Sequence, residues 1–383
     1  MWDIKRREVL LKIRKSSIGD ISLVLYIAYA FFSDLVSALF GSLIYRYILW
    51  GMTLLFLLFS LSRNGKVTKT KKALMTALLI LFFVVVRNQA FVNGDYITTI
   101  RWIFCFLFCF LAVDIPKSFD KLVHYIANIG FIHVIATFVF YLLPSLYERM
   151  YSVWGYWPSG TLHGNLGYKA GLTNHYSHNG IVLAATYIAL FAIIFSSVNL
   201  KNRKQDKYDK VHKIMFLLTL FAVVLTTKRA HLLFGIMAMV IVYYFCNPKD
   251  MGTKTFKLII GGVVGIIVLA IVSNYVTAVS DLLERFSSPI DKDSTMKSRF
   301  TFWTLAFNMF LHKPILGYGW FGFRYQYSRY LYDTSVRAAR YDLLDCHNVY
   351  LQVLAETGII GFVFYMVLIL FFLKKTFLLL RRS

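Results

Sequence analysis

The chain has 383 residues, of which 58% are hydrophobic and only 16% are charged. Soluble domains are nearer half apolar and about a quarter charged, so this composition excludes an ordinary water-soluble enzyme. The formal net charge of +23 is compatible with a nucleic acid, an anionic membrane surface or an anionic substrate as partner.

The first segment, residues 1–20, is basic, and no apolar run that ends in a small-residue cleavage site follows it. We therefore predict a retained cytoplasmic tail instead of a signal peptide. The four cysteines include no CxxC pair, so neither a disulfide framework nor a structural zinc site is predicted.

Apolar stretches of a length that crosses about 30 Å of hydrocarbon follow the tail. In chain order, the predicted spans are residues 21–41, 44–62, 73–92, 97–114, 121–143, 178–198, 213–227, 231–246, 257–277 and 357–373. The sequence thus predicts an all-α integral membrane protein with about ten transmembrane helices. The predicted regions are a tail (1–20), N-terminal spans (21–143), an outer loop (144–177), central spans (178–277), a large outer loop (278–356), and a last span with its tail (357–383).

Lysine and arginine are distributed unequally between the two sets of connecting segments. One side carries twice as many as the other, and most of the net charge belongs to it. Because short cytoplasmic loops are enriched in Lys and Arg, that side is predicted to be cytoplasmic, with both termini inside. The charge is then mainly a signal of topology, and we predict no nucleic-acid partner.

The large outer loop contains the sequence SRFTFWTLAFNMFLHKP. Its apolar residues recur at helical spacing, which predicts an amphipathic helix lying at the membrane interface. The apolar residues at that spacing are Phe300, Trp303, Leu305, Ala306, Met309 and Phe310. Pro314 and the glycines that follow it mark the end of this helix.

Arg229 is the sharpest candidate for chemistry, because it lies between the seventh and eighth spans with no loop around it. Ionisable groups at membrane depth usually serve a site, and a guanidinium binds phosphate through two hydrogen bonds. The alternative is that Lys228 and Arg229 only extend toward lipid headgroups.

His347 is the second candidate, where the large loop returns to the membrane. A neutral imidazole can accept a proton from an attacking hydroxyl. The alternative is a histidine that only caps the following helix.

Polar side chains cluster in GLTNHYSHNG, ahead of the sixth span. Asn174, His175 and His178 are candidates for binding sugar hydroxyls, with helix capping as the alternative. A metal site is disfavoured because a third ligand at helical spacing is missing. The acidic tripeptide at residues 291–293 resembles a cation motif of sugar-nucleotide transferases, but a solvated loop is the simpler interpretation.

Four segments together resemble the O-antigen polymerase/ligase family of bacterial membrane glycosyltransferases. They are GLTNHYSHNGIVLAA, LTTKRAHLLFGI, SRFTFWTLAFNMFLHKPILGYGWFGF and CHNVYLQVLAETGIIG. The resemblance covers roughly residues 170–365 and implies a fold of the integral-membrane class called GT-C. The implied activity is glycan transfer from an undecaprenyl-diphosphate carrier at the outer face of the cytoplasmic membrane.

The resemblance also implies roles for particular residues. Arg229 and Arg299 match arginines thought to hold the diphosphate, and His347 matches a histidine that acts near the acceptor. Arg324 is a further candidate for the diphosphate. Tyr318, Asn348 and Tyr350 are further candidates for binding sugars. The family does not generally require a metal, so no cofactor is expected.

Ligases that attach O-antigen to the lipid A core commonly carry H-x-H-N, whereas Asp345 stands two residues before His347 and one span follows. A polymerase of lipid-linked repeat units therefore fits better, with a ligase as the alternative. A flippase is disfavoured because paired discontinuous segments are missing. The expected partners are undecaprenyl-diphosphate-linked donor and acceptor glycans, the bilayer and a chain-length regulator.

Overall fold

The computed structural model describes residues 24–25, 27–40, 47–48, 51, 119–153, 167–173, 175–199, 209–245, 251–287, 294–330 and 345–382. The chain divides into two compact units, which are described separately. Unit 1 comprises Met1–Ser60 and Ile115–Ser287, and unit 2 comprises Leu61–Asp114 and Ser288–Ser383.

All the secondary structure of the described residues is helical, which confirms the predicted all-α class. Unit 1 contains α1 (Ser33–Phe40), α2 (Phe119–Leu142), α3 (Pro144–Val153), α4 (Gly167–Ala170), α5 (Tyr176–Asn199), α6 (Asp209–Leu225), α7 (Arg229–Phe245), α8 (Met251–Ser273) and α9 (Thr277–Ser287). Unit 2 contains α10 (Ser294–His312), α11 (Gly322–Gln326), a 3-10 turn (Tyr327–Tyr330) and α12 (Val349–Arg382).

Four described helices are long and apolar enough to cross a membrane. They are Lys121–Leu142, Tyr176–Phe195, Met251–Ser273 and Val349–Phe371. The first three correspond to predicted spans, and the predicted span 357–373 lies largely within the fourth. The predicted spans 73–92 and 97–114, and all but residues 47–48 and 51 of 44–62, lie outside the described residues.

The short seventh and eighth predicted spans correspond to α6 and α7, which have 17 residues each. At about 1.5 Å per residue such helices extend roughly 26 Å, slightly less than the usual hydrocarbon thickness of about 30 Å. Crossing by these two helices therefore stays a prediction.

The core of unit 1 forms around α5, which packs against α2, α6 and α7. Tyr187 of α5 is completely buried, and its hydroxyl donates to the backbone oxygen of His231 at 2.7 Å. A Cβ at Gly235 would overlap that hydroxyl. The glycine therefore lets α7 approach α5 closely enough for this bond.

In the helix α8 of unit 1 no residue is buried. After Lys257 its sequence is apolar up to the last residue, Ser273. A large exposed apolar surface of this kind is stable against lipid tails and unfavourable in water. The helix therefore supports the conclusion that this is a membrane protein.

In unit 2, α10 packs against α12 and the 3-10 turn. The buried residues of this core come from every described helix of unit 2 and from the segment before α12. They are Phe302, Leu305, Ala306, Met309, Phe323, Tyr327, Cys346 and Ala355. The helix predicted for this part of the large loop is present, although Phe300, expected on its apolar face, is half-exposed. Its amphipathic character and its position at the membrane interface stay predictions.

A break in α12 organises the rest of unit 2. Gly358 has φ 63° and ψ −168°, which is not helical. The turn after α10 docks onto this break through four backbone hydrogen bonds: Tyr318 to Ala355, Gly319 to Glu356, Ile359 to Pro314 and Ile360 to Ile315. One backbone contact therefore joins two of the segments that carry the family resemblance, SRFTFWTLAFNMFLHKPILGYGWFGF and CHNVYLQVLAETGIIG.

Candidate active site

In unit 1 the two sequence motifs GLTNHYSHNG and LTTKRAHLLFGI meet at the start of α5. The ammonium of Lys228 lies 3.9 Å above the centre of the Tyr176 ring. The imidazole of His175 stacks on the same Tyr176 ring, with ring centroids 4.3 Å apart. His178 is close by, its ring centroid 5.8 Å from that of His175. A cation, an aromatic ring and two imidazoles thus form one cluster.

His175 has the chemistry of a neutral hydrogen-bonding group. Its Nδ1 accepts a hydrogen bond from the backbone N–H of Ser177 at 3.1 Å. Burial lowers its pKa, and the charges of Lys228 and His178 lower it further, against a smaller opposing effect of Asp34. The imidazole is therefore neutral at neutral pH and can bind a hydroxyl without carrying charge.

Asp34 is a member of this cluster that sequence reasoning missed. Its Oδ2 lies 3.2 Å from Nδ1 of His178, whose side chain is exposed. If Nδ1–H donates to the carboxylate, Nε2 of His178 remains an acceptor. The available signal was a single acidic residue within the predicted span 21–41, since acidic residues at membrane depth usually serve a site.

The segment GLTNHYSHNG contains two asparagines, and the structure describes one of them. Asn174 lies outside the described residues. Asn179 is buried, and its Nδ2 donates to Thr137 Oγ1 at 3.1 Å and to the Lys169 backbone oxygen at 3.0 Å. Asn179 therefore joins α2, α4 and α5.

Arg229 is the first residue of α7. In the preceding turn Thr227 adopts a left-handed backbone conformation, with φ 55°. The guanidinium lies 5.9 Å from the centre of the Phe286 ring. The first turn of a helix directs backbone N–H groups and the positive end of its dipole outward. This location favours an anionic group beside Arg229.

In unit 2 His347 has an unusual backbone conformation and an exposed side chain. Its φ is 55°, a region that few non-glycine residues adopt. Cys346 before it is buried, and burial raises the pKa of that thiol to about 12. Phe302 lies beneath, its ring centroid 6.4 Å from that of His347.

Asn348 supplies the side-chain cap of α12. Its Oδ1 accepts from the backbone N–H groups of Tyr350 at 3.1 Å and Leu351 at 3.2 Å. The capping role that the sequence left open for His347 therefore falls to its neighbour. Asn348 was predicted to bind sugar, but these two hydrogen bonds already use its side-chain oxygen.

Arg324, expected at the diphosphate, makes a two-pronged ion pair in the described structure. Its Nε and Nη2 each donate to one carboxylate oxygen of Asp345 at 2.6 Å. Burial acts to raise the pKa of Asp345, but the hydrogen bonds and charge of Arg324 lower it below its usual value. The carboxylate thus stays ionised at neutral pH.

Three further residues predicted for the site, Tyr318, Tyr350 and Arg299, also lie in unit 2. The hydroxyls of Tyr318 and Tyr330 are hydrogen-bonded, and burial together with that bond raises the pKa of Tyr318 to about 12. Tyr350 is exposed, with its ring 6.2 Å from that of Tyr365. Arg299 is half-buried on α10.

Within the ranges that the structure describes, no three His, Cys, Asp or Glu side chains form a group able to hold a metal ion. The acidic tripeptide at 291–293 lies outside those ranges.

Residues 214–366 match the family model Wzy_C, described as O-antigen ligase, and this confirms the resemblance to the O-antigen polymerase/ligase family. The matched range contains Arg229, Arg299 and His347. Neither the curated proteins nor the solved structures include a match to the chain.

Proposed function

We propose that this protein is a membrane glycosyltransferase that joins undecaprenyl-diphosphate-linked oligosaccharide repeat units into O-antigen, capsular polysaccharide or exopolysaccharide. The family match indicates polysaccharide assembly or ligation. The observation that carries the proposal is that one matched range, 214–366, includes both candidate arginines and the candidate histidine. We place the reaction at the outer face of the bacterial cytoplasmic membrane, with both termini in the cytoplasm.

The proposed step is a displacement at the anomeric carbon of the donor. A hydroxyl of the acceptor sugar attacks this carbon, and its bond to the diphosphate oxygen breaks. The electron pair leaves with the lipid diphosphate, and the hydroxyl proton passes to His347. The alternative role of His347 is to orient the attacking hydroxyl. The exposed side chain of His347 supports such a role.

Arg229 and Arg299 would stabilise the charge that develops on the leaving diphosphate. The position of Arg229 at the start of α7 supports this role, because the helix dipole adds to the charge of the guanidinium. We expect the reaction to proceed in EDTA, since the arginines offset the diphosphate charge without a metal ion.

The test is the length of the polysaccharide made by single variants in a strain that lacks the chromosomal gene. Arg229→Ala and His347→Ala, each inserted at the wild-type level, should leave single repeat units. Arg329→Ala is the matched control, because it removes an exposed arginine to which no role in the reaction is assigned, and it should give wild-type chains. Wild-type chain lengths from either test variant would reject the assigned role.

A ligase is the second candidate, because the matching family model carries that description. A ligase would use the same donor but transfer the glycan to a different lipid or protein. Gene deletion distinguishes the two: loss of a polymerase leaves single repeat units on the carrier. Loss of a ligase leaves full-length polymer on the carrier and none on the final acceptor.

A further inference from the structure

We infer that Arg324 is a positioning residue, which holds the segment carrying His347 through Asp345, and is not a ligand of the diphosphate. The inference rests on the proposed function, because it assigns His347 to the reaction. It changes the role that the sequence suggested for Arg324.

The first support is the geometry of the pair. Two guanidinium nitrogens donate to two carboxylate oxygens at 2.6 Å, which is the parallel arrangement that makes an Arg–carboxylate pair directional. Asp345 occupies the Nε–Nη2 edge of the guanidinium, and its negative charge makes Arg324 a weaker ligand for a second anion than an unpaired arginine would be. Asp345 stands two residues before His347.

The second support is that the pair belongs to a closed ring of hydrogen bonds. Gln352 Nε2 lies 3.4 Å from Asp345 Oδ1 and donates to Glu356 Oε1 at 3.1 Å. The same Glu356 oxygen accepts from the backbone N–H of Phe323, at 3.3 Å. Phe323 precedes Arg324, so the ring starts and ends on α11 and ties it to the first turns of α12.

The third support is the conformation that the ring surrounds. His347 has φ 55°, and a left-handed non-glycine residue persists only where neighbouring contacts fix it. On its C-terminal side the contact is the Asn348 cap. On its N-terminal side the side-chain contacts are the buried Cys346 and the Asp345–Arg324 pair. Arg324 therefore holds one of the contacts on the N-terminal side of His347.

The test compares Arg324→Gln and Asp345→Asn in the full-length protein, reconstituted in liposomes with lipid-linked repeat units extracted from the deletion strain. A displaced catalytic group lowers the rate of the chemical step, so each variant should lose about 100-fold in kcat. The KM for the lipid-linked donor should stay within about threefold of wild type, because donor binding is retained. The double variant should lose no more than either single variant, since both remove one interaction.

The reversed pair, Arg324→Asp with Asp345→Arg, separates positioning from phosphate binding. Positioning predicts recovery of kcat to within about tenfold of wild type. A phosphate ligand predicts no recovery, a raised KM for Arg324→Gln and a mild effect of Asp345→Asn; that pattern would overturn the inference. Arg329→Gln is the matched control and should match wild type in both constants.

Hydrogen exchange of residues 345–351 in the same samples provides a measurement that does not need activity. The inference predicts faster hydrogen exchange in Arg324→Gln and in Asp345→Asn, and wild-type exchange rates in the variant that carries the reversed pair. Unchanged protection in the two single variants would overturn it. If wild type forms no product, the proposed function fails while the exchange result still decides whether Arg324 anchors the segment. If Arg324→Gln does not fold, the nearly isosteric Asp345→Asn provides both readouts.

Discussion

Replacement of Gly358 by alanine tests the docking of the turn after α10 onto the break in α12. Gly358 adopts φ 63° and ψ −168°, a region that is essentially restricted to glycine. A Cβ at this position would overlap the backbone oxygen of Ile315 and lie 2.7 Å from the backbone nitrogen of Leu316. These are backbone atoms, so a side-chain rotation cannot relieve the overlap, and the turn must move away.

The expected cost follows from the contacts that are lost. An unfavourable backbone conformation of this kind costs about 1–3 kcal/mol. The hydrogen bonds from Ile359 to Pro314 and from Ile360 to Ile315 flank the glycine, and losing both costs about 2 kcal/mol. We therefore expect Gly358→Ala to reduce the free energy of unfolding by about 3–5 kcal/mol, a large share of the 5–15 kcal/mol typical of proteins.

Denaturant titration of the protein in detergent micelles measures this change. Gly262→Ala is the matched control: it lies within α8, and no atom lies within 4 Å of the added Cβ. The same substitution there should stabilise the protein by about 0.5–1 kcal/mol, because alanine loses less backbone entropy on folding. If Gly358→Ala unfolds within about 1 kcal/mol of wild type, the overlap and the docking inferred from it are wrong.

Three further predictions concern groups that folding removes partly or wholly from water. Tyr187→Phe removes the 2.7 Å bond to the His231 backbone oxygen and should cost about 1 kcal/mol in the same titration. Because burial lowers the pKa of His175 below 6.5, its proton is lost on folding. The free energy of unfolding should fall as pH decreases through about 6.5, and His175→Gln should reduce this slope. Cys346, with its raised pKa, should resist maleimide at pH 8 until the protein unfolds, measured with the other cysteines replaced by serine.

Hydropathy located the long helices well because their length and composition are local properties. The predicted spans 121–143 and 178–198 agree within three residues with the candidate membrane helices Lys121–Leu142 and Tyr176–Phe195. The last helix differs: it begins at Val349 and continues past a break at Gly358. Its first turns carry Gln352 and Glu356, whose polarity lowered the apolar signal there. Their partners in unit 2 stabilise the helix in a way that a local pattern does not record.

The candidate site was predictable only where its chemistry is carried by adjacent residues. The Asn348 cap could have been inferred, since asparagine directly before an apolar periodic segment is a common helix start. The Asp345–Arg324 pair could not, because the partners are 21 residues apart and only folding brings them together. The same holds for Asp34 and His178, separated by 144 residues.

The charge that identified this chain as unusual also overstates its capacity for anions. Two of the cations on the predicted outer side already contact carboxylates in the described structure. Lys169 is buried with its ammonium 3.5 Å from Asp281, and Arg324 pairs with Asp345. Binding of a diphosphate therefore depends on where a cation lies more than on how many there are. At Arg229 the charge of a guanidinium coincides with the positive end of a helix. The proposed diphosphate would therefore be bound by a cation at a helix start, and not by the total charge of the chain.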